Sequence, residues 1–113
     1  MRVLVCGSRH FQDYELLEKT LDGFEITEII EGEARGADTF ARIYGERRGI
    51  PVLRFPAKWN EFGRAAGPIR NTQMLTEGKP QLVIAFRAPN SRGTQNMINQ
   101  AEKAGVPVYV VNI

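Results

Sequence analysis

The chain has one cysteine, Cys6, and one histidine, His10. A lone cysteine closes no internal disulfide, so the reducing cytoplasm is the expected setting. Without clustered His and Cys there is no ligand set for zinc. No apolar run approaches the roughly 20 residues that cross a bilayer. The opening Met1 to Cys6 is too short for a signal peptide and reads as a strand. Low-complexity tracts and like-charge blocks are also missing. With 42% hydrophobic and 25% charged residues, disorder is a poor description. The net charge of +2 is too small to argue for nucleic acid through its field. Lysine is scarce: Lys19, Lys58, Lys79 and Lys103 leave 11 of the 15 cations as arginine. Arginine's planar fork grips phosphate and carboxylate bidentately, so its placement along the chain becomes the question.

The 113 residues allow one domain, expected to span 1–113. Short β-rich runs alternate with helical stretches. Val3 to Cys6 is continuously apolar, as in a strand buried on both faces. Asp13 can cap a helix whose stripe is Tyr14, Leu17, Leu21 and Phe24. Ile26 to Ile30 reads as a strand, followed from about Gly36 by a helix with Phe40, Ile43 and Tyr44 inward, ended by Gly49. Val52 to Phe55 and Leu82 to Phe86 are further strands. The last helix carries Met97, Ile98, Ala101 and Ala104, and Val108 to Val111 closes the set. Pro56 to Gly67 fits neither period and is expected to be a loop. The alternation predicts a Rossmann-like α/β three-layer sandwich on a mostly parallel five-stranded sheet.

In such a sheet the strand-to-helix loops share one edge, where ligands bind. Six arginines fall on that edge or just beyond: Arg9, Arg35, Arg64, Arg70, Arg87 and Arg92. Gly7-Ser8-Arg9 follows a buried strand, and amides there suit an anion. It is not the GxGxxG fingerprint, which removes a plain NAD dehydrogenase. Gly32 and Gly36 flank Arg35, and Asp38 can cap the following helix or accept from ribose hydroxyls; capping is slightly favoured. Pro68 suits a first helical turn, which would carry Arg70 and Asn71 to the ligand edge. Trp59 can stack on a base, though packing its loop onto the domain is the favoured role. Gly93 and Thr94 suit a phosphate-holding helix start, or a plain Ser/Thr cap, with Asn96 as a polar neighbour. Cys6 reads as a buried strand residue, and His10 as a turn residue facing solvent.

Taken in order, Gly7-Ser8-Arg9, Gly32-x-Ala34-Arg35-Gly36-Ala37-Asp38, Ala57-x-Trp59, Ala66-Gly67-Pro68-Ile69-Arg70-Asn71-x-x-Met74, Ala85-Phe86 and Gly93-Thr94-x-x-Met97-Ile98 resemble the YspA/YpsA-related branch of the SLOG superfamily. The resemblance implies a Rossmann-like domain that binds a nucleotide or nucleotide-derived ligand, with relatives among cytokinin-activating phosphoribohydrolases, the DNA-uptake protein DprA and nucleotide sensors. The phosphoribohydrolases carry PGGxGTxxE; here the stretch from Pro89 keeps Gly93 and Thr94 but places Met97 at the glutamate, and methionine does no acid–base work. A binding or sensing module is therefore expected first, as a homo-oligomer without nucleic acid or membrane. A nucleotide hydrolase using Asp38, Glu33 or Glu61 comes second, and single-stranded DNA binding third.

Overall fold

The computed structural model describes residues 1–113. Its elements, in chain order, are β1 (Arg2–Gly7), α1 (Tyr14–Asp22), β2 (Glu28–Glu31), α2 (Ala37–Arg48), β3 (Val52–Arg54), α3 (Trp59–Phe62), a 3-10 turn (Gly63–Ala65), α4 (Ala66–Gly78), β4 (Leu82–Arg87), α5 (Arg92–Lys103) and β5 (Val108–Asn112). The strands form one sheet in the order β3-β2-β1-β4-β5. All four pairings are parallel, so the sheet expected to be mostly parallel is wholly so.

Alternation along the buried strands makes two cores. Val3, Val5, Ile29, Ile84 and Phe86 point to one face, against Leu17 and Leu21 of α1 and Ala37, Ala41 and Tyr44 of α2. Leu4, Cys6, Ile30, Val83 and Ala85 point to the other, against Met74 of α4 and Met97, Ile98 and Ala101 of α5. This is the three-layer sandwich. No helix is long and apolar enough to cross a membrane.

Asp13 starts α1 as expected, its carboxylate accepting from the Leu16 amide at 3.1 Å. Several boundaries differ from the sequence pattern. Helix α1 ends at Asp22, so Phe24 packs on the core from the following turn. Strand β2 begins at Glu28, and β3 ends at Arg54, with Phe55 buried just beyond it. Ala104 lies past the end of α5 and is exposed. The expected loop from Pro56 to Gly67 contains α3, the 3-10 turn and the first residues of α4. A helix of four residues shows no 3.6-residue period, which is why the pattern hid it. Trp59 on α3 is 59% exposed rather than buried, with the tip of its ring beside Gly67 at the start of α4.

Strand order places β2 and β3 on one side of β1, and β4 and β5 on the other. The chain therefore changes direction between β1 and β4. Loops leaving those two strands diverge and leave a crevice at the sheet's carboxyl edge.

Candidate functional site

The β1–α1 loop is fixed by its neighbours. The Ser8 amide donates to Phe86 O at 3.0 Å, and Ser8 O accepts from the amides of Phe11 at 3.2 Å and Ala37 at 3.4 Å. Ser8 Oγ accepts from the His10 amide at 3.1 Å. Close approach requires glycine at two positions. A Cβ on Gly7 would lie 2.6 Å from Phe86 O and 2.8 Å from Ala37 Cβ. At Gly36, φ is +75°, and a Cβ would meet the Arg9 carbonyl carbon at 2.8 Å.

Across the crevice, Asn90 takes a left-handed φ of +65° and turns the chain into α5. Ser91 does not cap that helix: its hydroxyl accepts from the Ala88 amide at 3.2 Å. The amides of Gly93 and Thr94 consequently have no acceptor within the protein. The two loops line a cavity of about 590 Å³ that includes Gly7, Ser8, Arg9, Arg92, Gly93 and Thr94. Neither Arg9 nor Arg92 forms an ion pair. The lining carries two free guanidiniums and two free amides, with no carboxylate side chain among its residues.

The other predicted residues brace this cavity. Asp38 is 4% exposed, and its carboxylate accepts from the amides of Gly32 at 2.8 Å and Ala34 at 3.4 Å. It ties the β2–α2 loop instead of capping α2, whose N-cap is Gly36 with no side-chain bond. Arg70 donates from Nη1 to Gly32 O and from Nε to Asn71 Oδ1 at 3.1 Å. Asn71 is buried and donates to Gly93 O at 3.3 Å and Asn96 Oδ1 at 3.0 Å. A continuous chain of bonds thus runs from Gly32 through Arg70 and Asn71 to Gly93. Gly36 and Ala37 touch the β1–α1 loop from the other end of the β2–α2 loop. Arg35 is exposed and outside the cavity lining.

The alternative acid–base residues lie elsewhere. Glu33 pairs with Arg54 at 2.7 Å, and Glu61 lies on α3 beside Trp59. Met97 is fully buried in the core beneath α5, so its position faces the sheet and not the crevice. His10 is exposed at the cavity rim. Burial pushes the Cys6 thiol far above its ordinary range, which removes it as a nucleophile. No group of three His, Cys, Asp or Glu is gathered for a metal.

One residue escaped the sequence reading. Glu31 ends β2 with 0% exposure. Its Oε1 has no hydrogen-bond partner, while Oε2 accepts from the Glu33 amide at 3.3 Å. Burial, then the Asp38 charge, pushes its carboxyl up to about 7. Burial likewise raises Asp38 to about 6, opposed by Arg70 and the loop amides. The available signal was faint: a carboxylate directly after the apolar pair Ile29-Ile30, in a strand that also begins with Glu28.

Sheet order, loop geometry and cavity define a Rossmann-like α/β protein with an electropositive crevice at its switch point. The chain belongs to the YspA, cpYpsA-related SLOG family, whose model matches residues 1–62. It is also similar to the Gene 61 protein of Mycobacterium phage D29, at 32% identity over 117 residues covering 95% of this chain and 93% of that protein. Membership in a SLOG family points to a nucleotide-related function. Arg70, Asn71, Gly93 and Thr94 lie beyond the segment that the family model matches.

Proposed function

We propose that this protein binds a nucleotide or nucleotide-derived ligand, with a phosphate seated between the β1–α1 and β4–α5 loops. The observation that carries this is the cavity with Arg9, Arg92 and the unbonded Gly93 and Thr94 amides on its wall. An α5 N-terminus without a side-chain cap presents orphan donors and the positive end of the helix dipole to that space. Two unneutralised guanidiniums supply the charge-assisted bonds that favour phosphate. Of the predicted residues, Gly7, Ser8, Arg9, Gly93 and Thr94 would touch the ligand. Gly32, Gly36, Asp38, Arg70 and Asn71 would hold the loops in place, and Arg35 would add charge nearby.

Recognition without turnover is favoured over hydrolysis because no carboxylate lines the cavity. A cytoplasmic location and self-association belong to the same proposal, supported by the buried free thiol of Cys6 and by exposed Trp59, Phe62 and Ile69. Scanning fluorimetry and calorimetry with AMP, NAD, ADP-ribose and cyclic dinucleotides test the central claim. At least one should raise the melting temperature and be recovered intact by chromatography. Arg9→Ala and Arg92→Ala should each weaken that ligand by roughly ten- to a hundredfold, the loss of one charge-assisted contact. No shift with any of the panel would refute the proposal, and ligand cleavage would replace it with the hydrolase.

A further inference from the structure

Glu31 is a fully buried carboxyl with an orphan oxygen, set beside a second buried carboxyl, Asp38. Asp38 has two amide donors; Glu31 has one, at the long distance of 3.3 Å. The nearest cation, Arg54 on β3, gives its short contact of 2.7 Å to Glu33 and comes within 3.6 Å of Glu31 Oε1 without a hydrogen bond. An anion this poorly compensated is costly to bury, whereas a protonated carboxyl is not. The charged and titratable neighbours are Asp38 on α2, Glu33 in the loop and Arg54 on β3, with Arg70 of α4 and the Cys6 thiol of β1 reached through Asp38.

We propose that Glu31 is a positioning residue of the anion site: its protonated form lets the β2–α2 loop close over Asp38, and its ionisation loosens that loop and the cavity walls it braces. The coupling is physical. Gly32 O holds Arg70, Arg70 holds Asn71, and Asn71 holds Gly93 O on the cavity wall. At the other end of the loop, the Ala37 amide holds Ser8 O. Ionising Glu31 places two negative charges in one buried site, and the Gly32 to Ala34 amides that serve Asp38 are the bonds they would strain. The site's affinity for anions then falls as pH rises through neutrality. This rests on the anion-binding reading above for its ligand arm alone.

The test is nitrogen-15 NMR of the full chain between pH 5 and 8.5, comparing the natural protein with Glu31→Gln. The Gly32 and Ala34 amides should show a step near neutrality in the former that is missing from the latter, which keeps only the lower step of Asp38 at about 6. A step near neutrality that persists unchanged in Glu31→Gln assigns it to another group and overturns the proposal. Arg54→Met, at an exposed position, is the second variant: withdrawing the guanidinium should move the midpoint upward, and an unmoved or lowered midpoint counts against Glu31. For the ligand arm, inorganic pyrophosphate is titrated into both proteins, and the ratio of their affinities cancels the probe's own ionisation. Glu31→Gln should gain about three- to tenfold over the natural protein between pH 6 and 8, since that interval spans most of a single titration; a ratio constant with pH refutes the coupling. If neither protein binds pyrophosphate while the amides still titrate, the anion-binding reading fails and the role of Glu31 in the loop stands.

Discussion

Gly7, at the end of β1, and Gly93, at the start of α5, both lie in segments that the sequence marks for anions, yet their surroundings are opposite. Gly7 is enclosed by the Phe86 carbonyl and the Ala37 side chain, neither of which can move without shifting the sheet or α2. At Gly93 an added Cβ meets nothing within 4 Å. Gly7→Ala should therefore cost about 1–3 kcal/mol in urea unfolding, the usual effect of overpacking. Gly93→Ala should leave stability unchanged or raise it by up to about 1 kcal/mol, because alanine is the better helix former. Loss of ligand affinity in Gly93→Ala without loss of stability would mark the cavity wall. The same scale holds the clearest shortfall of sequence reasoning. Asp38 was legible as important, but its partners lie in the preceding loop and not in the helix it begins. The weight of Glu31 was not legible, since nothing in a four-residue strand states how deeply its last side chain is buried.

At the scale of elements, α5 joins two functions. Its first turn offers free amides to the crevice, while its inner stripe of Met97, Ile98 and Ala101 covers the sheet. The sequence resemblance sets Met97 against the glutamate of the PGGxGTxxE signature, and in the structure that position is core. Met97→Glu should bury an unpaired carboxyl and cost roughly 3 kcal/mol or more. Met97→Leu, a near-isosteric swap, should cost less than about 1.5 kcal/mol. Equilibrium denaturation of the pair checks this; a stable Met97→Glu protein would show that α5 can present the side chain to the crevice after all. The strands and long helices were readable because β1 and β4 are continuous apolar runs and α5 keeps its 3.6-residue stripe. Helix α3 and the 3-10 turn were not, being single turns whose exposed Trp59 gives no buried stripe to detect.

For the whole molecule, the buried acids set how stability varies with pH. Glu31 and Asp38 both have folded pKa values raised above their unfolded ones. The native state thus holds protons that the unfolded chain has released, and stability falls as pH climbs from about 4 toward 7. Asp22 runs the other way: hydrogen bonds from Arg48 and then Tyr44 lower its pKa, so its contribution is present above the ordinary carboxylate range and lost in stronger acid. The optimum is expected at about pH 4, where these opposing slopes meet. Urea midpoints measured from pH 3 to 8 should peak there and drop by an amount on the order of 1–3 kcal/mol by pH 8. A flat profile above pH 5 would mean that the buried pair is better compensated than its geometry shows.

The sequence alone determined the strand–helix alternation, hence the parallel sheet and the edge on which its loops must gather. Those follow from local periodicity and from the short connections between elements. It also placed arginines and glycines on that edge, because residue type and position in a loop are local facts. Tertiary structure decided which of those loops meet. The order β3-β2-β1-β4-β5 puts the β1 and β4 loops, far apart in the chain, on opposite walls of one crevice. It also decided which charges stay free: Arg9 and Arg92 find no partner, Arg70 is drawn to backbone and Asn71, and Glu31 is enclosed beside Asp38. Pairing and burial depend on neighbours brought together by folding, and no window along the chain contains them.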